Sequence, residues 1–389
     1  MISGYNYMGQ RFDGRMQRTA SATFLGTRVM AEAVRLFAGI LPLTAMLAAT
    51  HIMVPHTLLL TGIVGITLFY TLYGGLKAVV WSDAIQFCLY LGGAALCATL
   101  LLHNAPADTF DILKNAGKFS LFIHTPDNFS SAFTPIAAIG GGALMTLASH
   151  GTDQLMVQRV LAARSLRDAR LALMGSALGV MALFFLLSSV GILLWIHHGQ
   201  VPLSDTGLSS PDAIFPDYIV HGLPPGIRGL MVAAILAATM GSLSSTLSAM
   251  TAATIGDFPG ACSKLKHVFS LKPLPLARAI TLVWAIILIV GSLLFAQGNQ
   301  SAVILGLSIA ACSYGPMLGT FLAGMLLPAA RSAEFLPAFR LTVPLMILAM
   351  IMLRPGGHAL GFPWLVVLGV LLLFALAAGF HLVRKIYDR

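Results

Sequence analysis

The 389-residue chain has 57% hydrophobic and only 10% charged residues, with a formal net charge of +9. Soluble globular proteins carry about a quarter of charged residues. Together with a mean hydropathy of +0.87, this composition excludes an ordinary soluble protein and predicts a polytopic membrane protein.

Apolar segments long enough to cross a bilayer recur along the whole chain. They lie at about 23–48, 56–75, 80–102, 132–156, 171–197, 228–255, 276–296, 301–327, 337–353 and 362–383. We therefore expect an all-α polytopic membrane protein with about ten transmembrane helices.

The basic residues alternate between the two sides of these predicted spans. Seventeen of the 23 Lys and Arg fall on one set of loops and chain ends, and four fall on the other. Loops rich in Lys and Arg stay in the cytoplasm, so both termini are predicted to be cytoplasmic in a multi-pass protein of the cytoplasmic membrane. The basic excess is then an orientation signal and predicts no nucleic-acid partner.

Motifs typical of enzymes do not occur in the sequence. It has no Walker loop, GxSxG, HExxH or GxGxxG, and its four cysteines lack CxxC or zinc spacing. We predict no catalytic residue and no cofactor, so the chain is not expected to be an enzyme.

The sixth apolar segment is unusually rich in hydroxyls and has no charge between Arg228 and Asp257. Its hydroxyl residues are Thr239, Ser242, Ser244, Ser245, Thr246, Ser248, Thr251 and Thr254. Helical spacing puts Ala238, Ser242 and Ser245 on one face, with Gly241, Ser244 and Ser248 on the next. Such oxygens can replace the hydration shell of a small hard cation, which indicates a sodium site. The alternative is that small residues simply allow close helix packing.

Charges inside the first predicted span also need an explanation. Arg28, Glu32 and Arg35 share one helical face, and an unpaired charge in lipid is costly. We expect an inward-facing structural triad, with a solute-carboxylate contact for one arginine as the alternative. The run from Arg159 to Arg170 is interpreted as an amphipathic helix at the inner leaflet.

Five segments in order resemble the sodium:solute symporter family over essentially the whole chain. They are YNYMGQRFDGR (Tyr5–Arg15), GGLKAVVWSDAIQ (Gly74–Gln86), GTDQLMVQRVLAARSLRDAR (Gly151–Arg170), AAILAATMGSLSSTLSAMTAATIGDF (Ala233–Phe258) and SYGPMLGTFLAGML (Ser313–Leu326). The resemblance implies a LeuT-type inverted-repeat fold with a site at mid-membrane.

The family pattern also implies a domain organisation. In the family, the segment similar to YNYMGQRF follows the third span, whereas here it lies close to Met1. The resemblance therefore implies an N-terminally incomplete fold that lacks the family's first three spans. One transporter domain, 1–389, would comprise a cytoplasmic start (1–22), the rest of the first repeat (23–102), the second repeat (132–327) and extra C-terminal helices (337–389).

The resemblance implies specific site residues. The family's main sodium site falls on Ala238, Gly241 and Ser242, although Gly241 lacks the hydroxyl usual there. A second sodium site falls on Asp83, Ser244 and Ser245; alternatively, Asp83 and Ser82 cap the following helix. The substrate-binding positions fall on Thr146, Ser149, His150, Asp153, Ser308 and Ser313.

These features together predict sodium-coupled symport of a small polar organic solute by alternating access. The expected partners are the sodium ion, the solute and the lipid bilayer. The alternative is a transport-incompetent truncated symporter or a membrane sensor or regulatory module. The sequence does not choose between a sugar, an amino acid, a monocarboxylate and a sialic acid, and it does not specify the oligomeric state.

Overall fold

The computed structural model describes residues 3–49, 53–120, 131–202, 205–208, 213–268, 272–294, 302–352 and 360–387. Within these ranges the regular elements are helices, and no strand occurs among them. The helices are α1 (Asn6–Arg11), α2 (Gly14–Ala49), α3 (His56–His103), α4 (Thr109–Asn115), a π-helical turn (Ala137–Gly141), α5 (Gly142–Gly151), α6 (Gln154–Leu161), α7 (Leu166–His197), α8 (Ile214–His221), α9 (Pro225–Asp257), α10 (Pro259–Val268), α11 (Pro273–Leu294), α12 (Ala302–Leu326), α13 (Ser332–Met352) and α14 (Phe362–Tyr387).

Eight helical segments of the described ranges are long and apolar enough to cross a membrane. Two of them, His56–Gly75 and Ala78–His103, belong to α3. The helix kinks at the end of the first segment, at Gly75, whose φ of 60° is readily adopted only by glycine. The predicted span at 23–48 lies inside α2, which has 36 residues and is not among the eight.

The predicted span at 132–156 is wrong at its end. Its helical part is the π-helical turn followed by α5, which has ten residues and ends at Gly151. Asp153 then adopts an extended conformation, and its carboxylate accepts a hydrogen bond from the Leu155 N–H, so that it caps α6. The helix therefore breaks inside the predicted span, at the polar run 149–154, and this break brings Asp153 to neighbouring helices.

The helices α9 and α12 are the most enclosed of the candidate spans. Helix α9 packs against α3 and α2, and α12 packs against α14 and α2. Leu243 and Leu247 of α9 are fully buried in a cluster with Leu36 and Leu60. Inside a membrane no hydrophobic effect drives helices together, so close packing of this kind drives their association. It brings the polar faces of α2, α3, α9 and α12 towards one another.

A hydrogen bond between Ser332 and Asp13 connects the start of α13 to the start of α2. The Asp13 carboxylate accepts hydrogen bonds from the N–H groups of Arg15 and Met16, at 2.8 and 2.7 Å, and so caps α2. Its other oxygen accepts from the Ser332 hydroxyl at 2.5 Å. These hydrogen bonds lower the pKa of Asp13, although its partial burial acts in the opposite direction.

Candidate functional site

Three hydroxyls of α9 reach carboxylates on other helices. Ser242 and Thr246, one turn apart, both donate to Glu32 of α2. Ser245 donates to Asp83 of α3. The Thr239 and Ser244 hydroxyls instead bond back to carbonyls of α9 itself. The hydroxyl-rich helix thus contains two polar centres, one built on each carboxylate.

The first centre surrounds Glu32, whose side chain is completely buried. Its Oε1 accepts from Ser242 at 2.9 Å, and its Oε2 accepts from Thr246 at 3.1 Å. The Arg35 guanidinium donates through one nitrogen to Glu32 Oε2 at 2.9 Å and to Ser242 Oγ at 2.7 Å. A buried carboxylate is tolerable because a cation and two hydroxyls satisfy it. We call this group the Glu32 centre.

The second centre surrounds Asp83 in the second half of α3. Its Oδ2 accepts from Ser245 at 2.9 Å and from Arg159 of α6 at 2.5 Å. Arg159 also donates to the Ser245 hydroxyl. Asp83 Oδ1 and Gln86 Oε1 are buried without a hydrogen-bond partner in the described part of the chain. A Cβ at Gly241 would lie 3.1 and 2.2 Å from these two oxygens, so only glycine leaves them room.

The predicted sodium residues are partly brought together by this arrangement. Ala238, Gly241, Ser242 and Ser245 line one cavity of about 700 Å³, which Asp83 also lines. Ser244 does not line it, because its hydroxyl is buried and bonds to the Gly241 carbonyl at 3.0 Å. The capping alternative for Asp83 is wrong, since this residue lies inside α3 and contacts α9 and α6. The sodium roles of these residues stay predictions.

A buried ion pair lies beside the two centres. Arg28 of α2 pairs with Asp153, and their side chains are 11% and 2% exposed. The Tyr314 hydroxyl of α12 donates to Asp153 Oδ2 at 2.7 Å. A second cavity, of about 210 Å³, is lined by all three of these residues and by Arg35. Arg28 and Arg35, like Asp153 and Tyr314, line both cavities, so the two cavities are adjacent.

The predicted structural triad of the first span is only partly correct. Arg35 pairs with Glu32 as expected, but Arg28 pairs with Asp153, 125 residues away. Helical spacing cannot reveal such a partner, because the partner lies on another helix. The Tyr314 contact was likewise missed, although the YGP segment that holds this tyrosine was recognised.

The predicted substrate residues divide into two groups. Ser149 and Ser313 each line one of the cavities, and Asp153 lines both. The residues that line neither cavity are Thr146, His150 and Ser308. His150 Nδ1 lies 2.9 Å from Ser149 Oγ and 3.1 Å from the Thr146 carbonyl, so the ring is satisfied within its own helix. The substrate roles stay predictions, and the structure favours the first group.

The interpretation of Arg159 as part of an amphipathic surface helix is wrong. Helix α6 ends at Leu161, and Ser165 caps the separate helix α7 by accepting from the Asp168 N–H. Arg159 points instead to Asp83. A basic residue in a basic run gives no signal of such a role, because the run as a whole is typical of a membrane surface.

Comparison with known proteins adds an independent line of evidence. The model of the sodium:solute symporter family matches residues 5–331. A sodium/iodide cotransporter from Homo sapiens is 27% identical over 337 residues, which cover 85% of this chain and 51% of that protein. A sodium/sialic acid symporter from Aliivibrio fischeri (strain ATCC 700601 / ES114) is 26% identical over 335 residues, covering 84% of this chain and 64% of that protein.

Further matches agree with these. Sodium-coupled monocarboxylate transporter 2 from Homo sapiens is 26% identical over 337 residues, covering 84% of this chain and 52% of that protein. The chain therefore spans about half to two thirds of the length of these relatives. A solved structure of a Na⁺-coupled sialic acid symporter, substrate-bound and outward-open, matches with a TM-score of 0.77 at 22% identity, covering 96% of this chain and 76% of that one. The predicted LeuT-type, all-α membrane fold is confirmed.

Proposed function

Because the chain belongs to the sodium:solute symporter family, we propose that it carries out sodium-coupled symport of a small anionic solute by alternating access. One observation carries the proposal. Two carboxylate centres, around Glu32 and Asp83, lie on neighbouring faces of α9 beside two adjacent cavities that two arginines line. Oxygen ligands for a cation thus lie next to guanidinium groups for an anion.

The oxygen groups at these centres suit sodium as the coupling ion. Hydroxyl and carboxylate oxygens are the ligands that hard cations prefer. Ser242 and Ser245 face the wider cavity, and Gly241 leaves open the space in front of the unpartnered oxygens of Asp83 and Gln86. Binding of sodium would favour one orientation of the two repeats, which couples the ion to the movement of the solute.

Arginines in the cavities support an anionic solute. Arg35 is 51% exposed and uses one guanidinium nitrogen for the hydrogen bonds to Glu32 and Ser242. Its planar fork suits a carboxylate or another small anion. The relatives are named for iodide, sialic acid and monocarboxylates, all of which are anions. Ser149, Asp153 and Ser313 are proposed to complete the solute site.

The domain organisation and the membrane location of the chain are part of the same proposal. Residues 1–389 form one transporter domain, with parts of the two repeats at 23–102 and 132–327. The chain crosses the membrane several times, and the proposed location is the cytoplasmic membrane with both termini in the cytoplasm.

Uptake into proteoliposomes tests the proposal. The purified chain is reconstituted, and uptake of iodide, lactate and N-acetylneuraminate is measured under an inward sodium gradient, with glucose as the neutral control. We expect uptake of at least one anion that requires sodium and is lost in Ser242→Ala. Ser189→Ala is the matched control, because the Ser189 hydroxyl bonds only to the Phe185 carbonyl of its own helix α7.

Three results would contradict the proposal. Equal uptake with sodium and with choline would refute sodium coupling. Sodium binding without uptake of any solute would refute transport and favour the alternative of a membrane sensor or transport-incompetent module. Sodium-driven uptake of glucose alone would refute the anionic class.

A further inference from the structure

The Glu32 centre contains a positive charge supplied by the protein itself, the guanidinium of Arg35. The guanidinium of Arg35 lies against Glu32 Oε2 and Ser242 Oγ, at 2.9 and 2.7 Å. Two oxygens from two helices therefore accept from one positive charge, Glu32 Oε2 of α2 and Ser242 Oγ of α9. The Ser242 and Thr246 hydroxyls in turn donate to the Glu32 carboxylate.

The two partners of this ion pair differ strongly in freedom. The Glu32 side chain is 0% exposed, whereas that of Arg35 is 51% exposed and lines both cavities. A long, half-exposed arginine can swing into a cavity, but a fully buried carboxylate cannot follow it. If Arg35 leaves, the carboxylate needs another cation, because an unpaired buried charge is strongly unfavourable.

A monovalent ion is the replacement that conserves the charge. The guanidinium carries one positive charge, and sodium carries one as well, so the exchange leaves the net charge of the Glu32 centre unchanged. Carboxylate and hydroxyl oxygens suit a small hard cation. Ser242, moreover, is a residue at which sodium is proposed to bind.

We propose that Glu32 is a carboxylate ligand of the coupling sodium ion and that the Arg35 guanidinium is a tethered competitor for the same place. Sodium and the guanidinium then alternate at the same site, formed by Ser242 and Glu32. Each sodium ion that binds there releases Arg35 into the solute cavity. This proposal rests on the proposed function, because it assigns a ligand and a competitor to the sodium site proposed there.

Direct binding of radioactive sodium tests the exchange without requiring transport. The full chain is purified into lipid nanodiscs, and the Kd for ²²Na⁺ is measured at constant ionic strength with choline chloride as the balancing salt. We expect Arg35→Gln to bind sodium about tenfold more tightly than wild type, the scale of one hydrogen bond to a charged group. Arg340→Gln is the matched control, because Arg340 is exposed on α13 and lines neither cavity.

Double variants identify the ligand. Arg35→Gln combined with Glu32→Gln, or with Ser242→Ala, should lose the gain in sodium affinity. If Arg35→Gln does not fold in choline, its recovery of a monodisperse state in sodium supports the exchange, and failure to recover in either salt overturns it.

The remaining outcomes separate this proposal from the proposed function. Sodium binding that depends on Ser242 but is unchanged by Arg35→Gln overturns the exchange and leaves the sodium site in place. A gain that survives Glu32→Gln overturns Glu32 as a ligand. No sodium binding by wild type or by Arg35→Gln overturns both proposals.

Discussion

The buried pair of Arg28 and Asp153 permits a quantitative prediction about stability. Removing one partner of a buried ion pair costs about 3–5 kcal/mol, because it leaves the other charge unpaired. Arg28→Gln should fall at the lower end, near ~3 kcal/mol, since the Asp153 carboxylate keeps hydrogen bonds from Tyr314 and from the Leu155 N–H.

Asp153→Asn should cost more, about 5 kcal/mol. This change leaves a guanidinium that is 11% exposed without its carboxylate partner. Its contact with the face of the Phe24 ring, 5.7 Å from the ring centroid, compensates only in part. A cation–π contact contributes only about 0.5–2 kcal/mol. The double variant should be less destabilised than the sum of the single variants by about 2–3 kcal/mol, because it leaves neither charge unpaired.

Equilibrium unfolding in mixed micelles, followed by tryptophan fluorescence, measures these free energies. The matched control is His221→Gln, which removes the pair of His221 with Asp217 at a side chain that is 71% exposed. It should change the free energy of unfolding by less than about 1 kcal/mol. The reasoning would be refuted if the losses in the free energy of unfolding for Arg28→Gln and Asp153→Asn added up to that of the double variant. It would also be refuted if either single variant lost no more than the control.

Three further predictions concern single positions. Asp13→Asn should remove the pH dependence of stability that this cap contributes. Because the pKa of Asp13 is lowered in the folded state, its stabilisation is present above the unfolded pKa of about 4 and is lost as pH falls through the folded pKa. Wild type should therefore lose more stability than the variant between about pH 5 and about pH 3, and parallel plots of stability against pH would contradict this. Gly241→Ala should weaken ²²Na⁺ binding because its Cβ would lie 2.2 Å from Gln86 Oε1, and adding Gln86→Ala should restore it; a loss that persists in the double variant would argue against this clash. Gly75→Ala should lower the free energy of unfolding by about 1–3 kcal/mol, because its φ of 60° and ψ of −168° lie in a region that is essentially restricted to glycine. An unchanged value would show that the kink relaxes.

Part of the site was predictable because its signal is local. The hydroxyls of α9 fall within one stretch of sequence, and helical spacing alone groups Ala238, Ser242 and Ser245 on one face, as the structure confirms. The charge pattern of the first span likewise predicted the pair of Glu32 and Arg35, which are three residues apart. Both inferences use only the periodicity of a single helix.

Other parts of the site depend on contacts between helices. Arg159 lies 76 residues from Asp83 in the chain, and Tyr314 lies 161 residues from Asp153. No periodicity relates residues on different helices. The break at Gly151 frees Asp153 to cap α6 and to meet Arg28.

The sequence by itself determined that this is a membrane protein made of helices, because apolar length and charge alternation are properties of composition along the chain. It also determined which helix carries the hydroxyl oxygens. Only the tertiary structure decided which carboxylate and which arginine meet them, because those pairings are set by how α2, α3 and α6 pack around α9. A buried charge takes whichever opposite charge the packing brings within reach, and the chain order does not contain that distance.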